Sequence, residues 1–494
     1  MLEPILGAFV RLAAPAPLLL IVLGVSLGIV VGAIPGLTGS MLIVLALPLT
    51  LHMSSVLAMD LLIGMYVGAI SGGLITATLL RIPGTPSSIV TTFDGYPMAR
   101  AGKPGRAIGI GIMSSFVGGV VSWVVLVLFA PLLSRVALRF GPFELFSLVL
   151  MALVLIASVG QGSTSKAMMS GFLGIILSIP GMDPITGTRR LTFGVRQMIG
   201  GIGLLPVLIG LFGISQLMKD AITVEERLEK MHVSTAGIFM TWQDIKKQAV
   251  NLIRSSLIGT WIGILPGIGG NMGSVVAYTS AKNASRTPEV FGTGCDDGIV
   301  AAEAANNATI NGALIPFLTL GIPGSVITAI LMGALILHGV APGPLLIVNN
   351  PDVVYGIMAT AFVANLFMFF LMIGATFVVI RIVDIPKSLL IPIILVFCFV
   401  GTFALNNRFF DVWVMIAAGL LGFALEKARV PLAPFVIGFI LSPIAEVNLR
   451  SGLMLSGGDI LPVVTRPISL TFVLVAIATL AWPAVRTALR SRRT

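Results

Sequence analysis

Charge is scarce in this 494-residue sequence: 10% of residues are Asp, Glu, Lys or Arg, while 56% are hydrophobic. A soluble domain carries about 25% charged residues, so there is too little charge here to coat a water-facing surface, and a soluble globular protein is excluded. Two cysteines, Cys295 and Cys398, cannot hold a metal cluster between them, and His52, His232 and His338 are scattered, which excludes zinc and haem spacings. No G-x-x-x-x-G-K-[ST] occurs, so the chain does not hydrolyse ATP through a P-loop, and there is no H-E-x-x-H. The "GGD" at 457–459 is too short to argue for an intramembrane aspartyl site. No catalytic residue, cofactor or metal is expected, sodium alone excepted. Energy for any transport would come from an ion gradient or a separate subunit.

Acidic residues are outnumbered, 20 against 30 Lys and Arg, giving a net charge of +10. In a soluble protein that excess would raise nucleic acid as a partner. Here the basic residues fall in short connections, such as Arg100, Lys103 and Arg106, and in the tail "RTALRSRRT". That is the positive-inside bias of a membrane protein, so nucleic acid is not expected and the C-terminus is placed in the cytoplasm. Asp94, Arg100, Lys103 and Arg106 together read as a solvated loop.

What the sequence has in quantity is apolar length. A bilayer-spanning helix needs about 20 apolar residues. Ala107–Leu133, Leu145–Ser165, Tyr355–Ile380, Lys387–Leu405 and Ile468–Val485 qualify outright. Gly and Pro interrupt others, at 12–34, 40–59, 61–80, 167–181, 197–218, 253–280, 299–320, 325–340 and 412–450. The expectation is an all-α polytopic membrane protein with about 10–12 spans or partial spans. The run from Leu12 to Ile34 exceeds the roughly 7–15 residues of a signal-peptide core and reads as a first span.

The stretch 219–250 is the one long segment of mixed charge, and its "TVEERLEKM" reads as a short amphipathic surface helix. It divides the chain into residues 1–218, an N-terminal membrane repeat, and 251–450, a C-terminal one, with a final span and basic tail at 451–494. The halves align. "LGIVVGAIPGLTGSM" faces "IGTWIGILPGIGGNM", and "GAISGGLITATLLRIPGT" faces "ATINGALIPFLTLGIPGS". Each half thus carries two Pro-Gly breaks in corresponding places, the sequence pointer to a secondary transporter built from inverted-topology repeats.

Backbone without helical hydrogen bonds survives at membrane depth only inside protein or against a water-filled cavity. A helix restarting after such a break exposes N–H groups that favour an anion. The candidate substrate-binding residues are therefore Pro35, Gly36, Thr38, Gly39 and Ser40; Pro83, Gly84, Thr85, Pro86, Ser87 and Ser88; Pro266, Gly267, Gly269, Gly270 and Asn271; and Pro323, Gly324 and Ser325. Thr85 is the expected N-cap with Pro86 at the first helical position, and Ser325 and Thr328 play similar parts. In "EAANNATINGALIP", Glu303, Asn306, Asn307 and Asn311 lie in an otherwise apolar segment. They are candidates for ion coupling or for the pathway, or for hydrogen bonds that hold the bundle together. Asp60 is the matching residue of the first half, an ion site or an interface residue. Arg81 is either a carboxylate partner or a snorkelling surface cation.

The motifs "GAIPGLTGS", "TTFDGYPMARAGKPGRA", "GILPGIGGNMG" and "EAANNATINGALIPFLTLGIPGS" resemble the large membrane subunit of the tripartite tricarboxylate transporters, in order along nearly the whole chain. The resemblance implies a secondary permease of the bacterial inner membrane, driven by Na+ or H+. Its partners would be a small membrane subunit and a periplasmic solute-binding protein that delivers di- or tricarboxylates or related carboxylates. The resemblance also leads one to expect a small polar residue, often Asn, where Arg81 stands. A passive anion channel and a non-transporting membrane scaffold are the alternative readings.

Overall fold

The computed structural model describes residues 2–159, 163–222, 236–266, 269–382 and 387–491; the "TVEERLEKM" segment and Gly267 lie outside them. The apolar N-terminus forms a short helix α1 (Leu2–Leu12), with Pro4 near its start, then α2 (Pro15–Ala33), opened by prolines whose missing N–H costs nothing in a first turn. α3 (Gly39–Thr50) and α4 (Ser55–Leu80) follow, so the apolar run 40–59 is two helices parted at 51–54. α5 (Thr91–Arg100) leads into the long α6 (Pro104–Ala137), then α7 (Pro142–Val159) and α8 (Thr164–Ser178). A two-residue hairpin, β1 (Gly181–Met182) with β2 (Arg189–Arg190), precedes α9 (Leu204–Leu208), which continues through a π-turn at Ile209–Ile214 into α10 (Ser215–Ile222).

The second half opens with α11 (Trp242–Ile264), started by a capping box in which Thr241 and Asp244 satisfy each other's backbone N–H. α12 (Gly269–Ala284), α13 (Asp296–Leu320) and α14 (Val326–Leu337) follow, so the expected segment 253–280 is also split. After the single turn α15 (Leu346–Asn349) come α16 (Pro351–Ile382), α17 (Lys387–Asn406), α18 (Phe409–Lys427) and α19 (Leu432–Leu455). The short α20 (Pro462–Thr465) and α21 (Pro467–Ser491) end the chain, and the segment 412–450 is thus α18 and α19 joined by a turn. Among the described residues, 8 helices are long and apolar enough to cross a membrane, and Gly39–Thr50, Pro142–Ser158, Val326–Leu337 and Pro467–Ala481 are shorter apolar helices. The all-α polytopic reading holds.

Glycines at four-residue intervals set the inner packing. Gly24, Gly28 and Gly32 of α2 lie on the backbone of α4 at Leu61, Met65 and Ala69, so the two helices run in the same direction. Small residues permit this close approach where apolar burial gives no drive between helices. The second half repeats the contact: Gly259 and Gly263 of α11 lie on Ala305 and Thr309 of α13. α16 runs with α4, placing Gly356 beside Val56 and Thr360 on Asp60. α6 runs with α13, from Arg106 on Asp296 to Gly118 on Ala304. α6 and α16 pass in opposite directions, Trp123 Nε1 donating to the Met358 carbonyl and Asn365 Nδ2 to that of Phe116. The bundle core is therefore α2, α4 and α16 pointing one way, and α11, α13 and α6 the other. α4 and α13 lie at its centre, buried along most of their length.

Candidate functional site

All four Pro-Gly breaks interrupt helices, and their local chemistry explains how. After α2, Gly36 takes φ +95°, a left-handed conformation that glycine adopts freely, and the Thr38 side chain caps α3 by accepting from the Met41 N–H at 3.2 Å. After α4, Arg81 is left-handed at φ 58°. The Thr85 N–H then donates to Ser88 Oγ at 3.2 Å, while Ser88 Oγ donates to the Thr85 carbonyl at 2.8 Å. What starts here is a 3-10 turn, Pro86–Ile89, that leads into α5, so this break offers no long helix start of its own. After α13, Gly321 is left-handed at φ 68°. Ser325 and Thr328 form a full capping box over α14, the Ser325 N–H donating to Thr328 Oγ1 at 2.8 Å and the Thr328 N–H to Ser325 Oγ at 3.2 Å. After α11, Leu265 and Pro266 end the helix and α12 begins at Gly269.

Folding brings these breaks together crosswise. A Cβ placed on Gly39 would touch Ala69 and, at 3.4 Å, Ile327, so the first break abuts the fourth. A Cβ placed on Gly270 would lie 3.3 Å from the Ser87 Cβ, so the third abuts the second. Gly84 rests on the Gly32 carbonyl, and Gly324 rests on that of Gly263, the same contact in each half. α4 and α13 thread between them. Asn306 Nδ2 donates to the Ile70 carbonyl at 3.4 Å, Asn307 Nδ2 to Ser71 Oγ at 2.8 Å, and the Tyr66 and Ser325 hydroxyls lie 3.4 Å apart. The junction is thus lined by hydroxyls, amides and glycine backbone. Thr85, Ser87, Ser88, Asn306 and Asn307 are buried there or in the adjoining turns, Glu303 and Asn311 are buried elsewhere on α13 against α5 and α6, and Pro35, Pro83 and Pro323 sit in the breaks themselves.

The charged candidates separate. Asp60, 1% exposed, is gripped by Arg11 through both oxygens at 2.7 and 3.0 Å and by the Thr360 hydroxyl at 2.5 Å, away from the breaks. Arg81 is exposed, with its guanidinium 5.6 Å over the Tyr96 ring. Glu303 is fully buried on α13 and bonded to the hydroxyls of Thr91 and Ser115; among the described residues no Lys, Arg or His pairs with it. Asn311 Nδ2 donates to the Gly119 carbonyl and to Ser122 Oγ, both at 2.9 Å.

Asp94 overturns the solvated-loop reading. It lies fully buried on α5 and accepts from the N–H groups of Gly292, Gly294 and Cys295, each at 2.9 Å, and from the Tyr278 hydroxyl at 2.8 Å. The carboxylate therefore organises the loop between α12 and α13. Arg106, part of the same supposed loop, bridges Asp296 at 2.6 Å and Asp244 at 3.3 Å. Sequence reading also missed Tyr66, Ser71, Thr91, Ser115 and Thr309. Thr91 and Ser115 stand beside Thr92 and Ser114, and Thr309 stands among the asparagines of α13, so a hydroxyl in these places gains meaning only when α4, α5, α6 and α13 meet. Among the described residues no group of three His, Cys, Asp or Glu side chains is placed to hold a metal ion.

Comparison with known proteins completes the picture. Residues 18–437 match the family model described as "Tripartite tricarboxylate transporter TctA family". An uncharacterized 52.8 kDa protein from the TAR-I ttuC' 3' region of Agrobacterium vitis is 36% identical over 455 residues, 92% of this chain and 90% of that protein. An uncharacterized protein from the TAR-II ttuC' 3' region of the same organism is 36% identical over 231 residues, 46% of this chain and 96% of that protein. No solved structure matches.

Proposed function

The chain belongs to the tripartite tricarboxylate transporter TctA family, and from that premise we propose that it is the permease subunit of an ion-gradient-driven importer of organic anions. The observation that carries this reading is the crosswise meeting of four broken helices at a buried junction. Irregular backbone at membrane depth needs protein or a cavity around it. Matched breaks in two halves of opposed direction are where carriers bind substrate and ion. Residues 1–218 and 251–450 are then inverted repeats, joined by the linker 219–250 and followed by the final span and tail at 451–494. The opposed directions of α2 with α4 and of α11 with α13 support that division.

In this reading the free N–H groups at the starts of α3, α12 and α14 hold the carboxylates of a di- or tricarboxylate. Pro35 to Ser40, Pro83 to Ser88, Pro266 to Asn271 and Pro323 to Ser325 form the binding surface. A periplasmic solute-binding protein delivers the substrate, and a small membrane subunit completes the complex. The permease lies in the bacterial inner membrane, with the basic tail on the cytoplasmic side by the positive-inside rule.

The test is uptake of a panel of labelled carboxylates by cells expressing the chain with both partners. Sodium is supplied or omitted, with an uncoupler as control. Gradient-dependent accumulation with trans-stimulation is expected. Equilibration without accumulation or trans-stimulation identifies a channel, and absence of any substrate-dependent flux identifies a scaffold.

A further inference from the structure

α18 ends on a residue that does not suit its position. The Val430 N–H donates to the Leu425 carbonyl at 2.8 Å and the Arg429 N–H to the Glu426 carbonyl at 2.9 Å, with Leu425 and Val430 both buried. This is a Schellman turn, whose left-handed position glycine fills without strain. Arg429 stands there instead, at φ 57°. Its side chain is exposed and has no acidic partner among the described residues, and the same holds for Lys427. Lys166, near the start of α8, reaches the same turn and donates to the Ala428 carbonyl at 2.7 Å. Glu426, the carboxylate of this helix end, is already engaged by Lys219 at 3.0 Å and by the Ser215 hydroxyl at 2.9 Å. The helix dipole favours a cation here, but three held about one turn repel one another unless an anion lies among them.

Lys427 and Arg429 line an open groove of about 710 Å³ between the ends of α10 and α18 and the start of α19, and Lys166 lies beside it. The rest of the groove is largely apolar, with Ile222, 69% exposed, and Phe423 on its walls. Its depth in the membrane follows from the helices. Two candidate spans end here, at Ile222 and Lys427, and a third begins at Leu432. That is the level at which hydrocarbon gives way to headgroups. We propose that this groove binds an anionic phospholipid, its phosphate against Arg429 and Lys427 and its glycerol and first acyl carbons over Ile222 and Phe423. A guanidinium takes phosphate oxygens in pairs, and a basic pocket between membrane helices matches an anionic headgroup. A free phosphate would answer the charge and leave Ile222 and Phe423 uncovered, so the apolar walls select the lipid.

The test reads the midpoint of thermal unfolding of the purified full-length chain, stripped of lipid, in a neutral detergent. It is titrated with phosphatidylglycerol, with phosphatidylcholine of the same acyl chains, or with inorganic phosphate. A saturable rise with phosphatidylglycerol alone is expected. Replacing Lys427→Gln and Arg429→Gly together should raise the half-saturating lipid fraction at least tenfold, since each basic residue at a membrane surface contributes about fivefold. Arg429→Gly by itself should raise the midpoint in lipid-free detergent, by releasing the left-handed strain, and weaken the response to phosphatidylglycerol. A residue that only closes the helix would not move the two readings in opposite directions. Equal midpoints in the two lipids overturn the proposal, as does a double variant that titrates like the original chain. An equal rise with inorganic phosphate overturns the lipid in favour of a free anion.

Discussion

Removing Arg11 should cost more than removing the carboxylate it binds. Asp60 is 1% exposed and Arg11 30%, and the guanidinium holds both carboxylate oxygens. Arg11→Met leaves a buried carboxylate with the Thr360 hydroxyl alone, and breaking a buried pair in this way costs about 3–5 kcal/mol. Asp60→Leu leaves Arg11 able to turn toward water and Thr360 able to bond back along its own helix, so its cost should stay near 1 kcal/mol. The double variant replaces ions by apolar groups of similar size. It should be more stable than the sum of the single effects by about 2–3 kcal/mol. The assay is reversible unfolding of the purified chain in mixed detergent micelles, run on all four proteins. An Arg11→Met variant within about 1 kcal/mol of the original, or a cycle that is simply additive, would refute the assignment of Asp60 to a structural tie. A functional corollary is that Asp60→Leu protein that inserts normally keeps the ion dependence of uptake unchanged.

Other consequences can be measured separately. Gly36→Leu should abolish uptake while leaving membrane insertion intact, because the residue is left-handed and its Cβ would fall 2.7 Å from Asp220 Oδ1; normal uptake would remove this break from the binding surface. Arg81→Gly should raise the unfolding midpoint, since a non-glycine residue at φ 58° carries about 1 kcal/mol of backbone strain that Gly321 avoids at the equivalent position. Asp94→Ala should destabilise by about 3 kcal/mol, several charge-assisted bonds being lost together, and should expose the 291–295 loop to limited proteolysis. In the 181–190 hairpin, the Thr186 N–H, the Arg450 guanidinium and the Ile185 N–H hold Asp183 below the usual carboxylate range. A depressed carboxyl contributes stability above its unfolded value and loses it as pH falls toward the folded one. The protection factors of the hairpin amides, with the intrinsic pH dependence of exchange divided out, should therefore hold at neutral pH and fall only in acid, and a fall on raising the pH would contradict the tie.

Composition and spacing by themselves determined that the chain is helical and lies in a membrane, because about 20 uncharged residues in a row have no other stable setting. Sequence also located the breaks, since Pro and Gly have few alternatives to ending a helix, and it named Thr85 and Ser325 as caps from their position after Pro-Gly. The pairing of the breaks was not legible. Gly270 against Ser87, and Gly39 against Ile327, are contacts between residues far apart in the chain, decided by the glycine seams that let α2 approach α4 and α11 approach α13. The same holds for the acidic residues. Asp60, Asp94 and Glu303 look alike in an apolar sequence. Tertiary structure gives the first an arginine, the second three backbone N–H groups and the third two hydroxyls and an amide, with no cation among the described residues. A carboxylate's role follows from what faces it across the bundle, and local sequence carries no record of that partner.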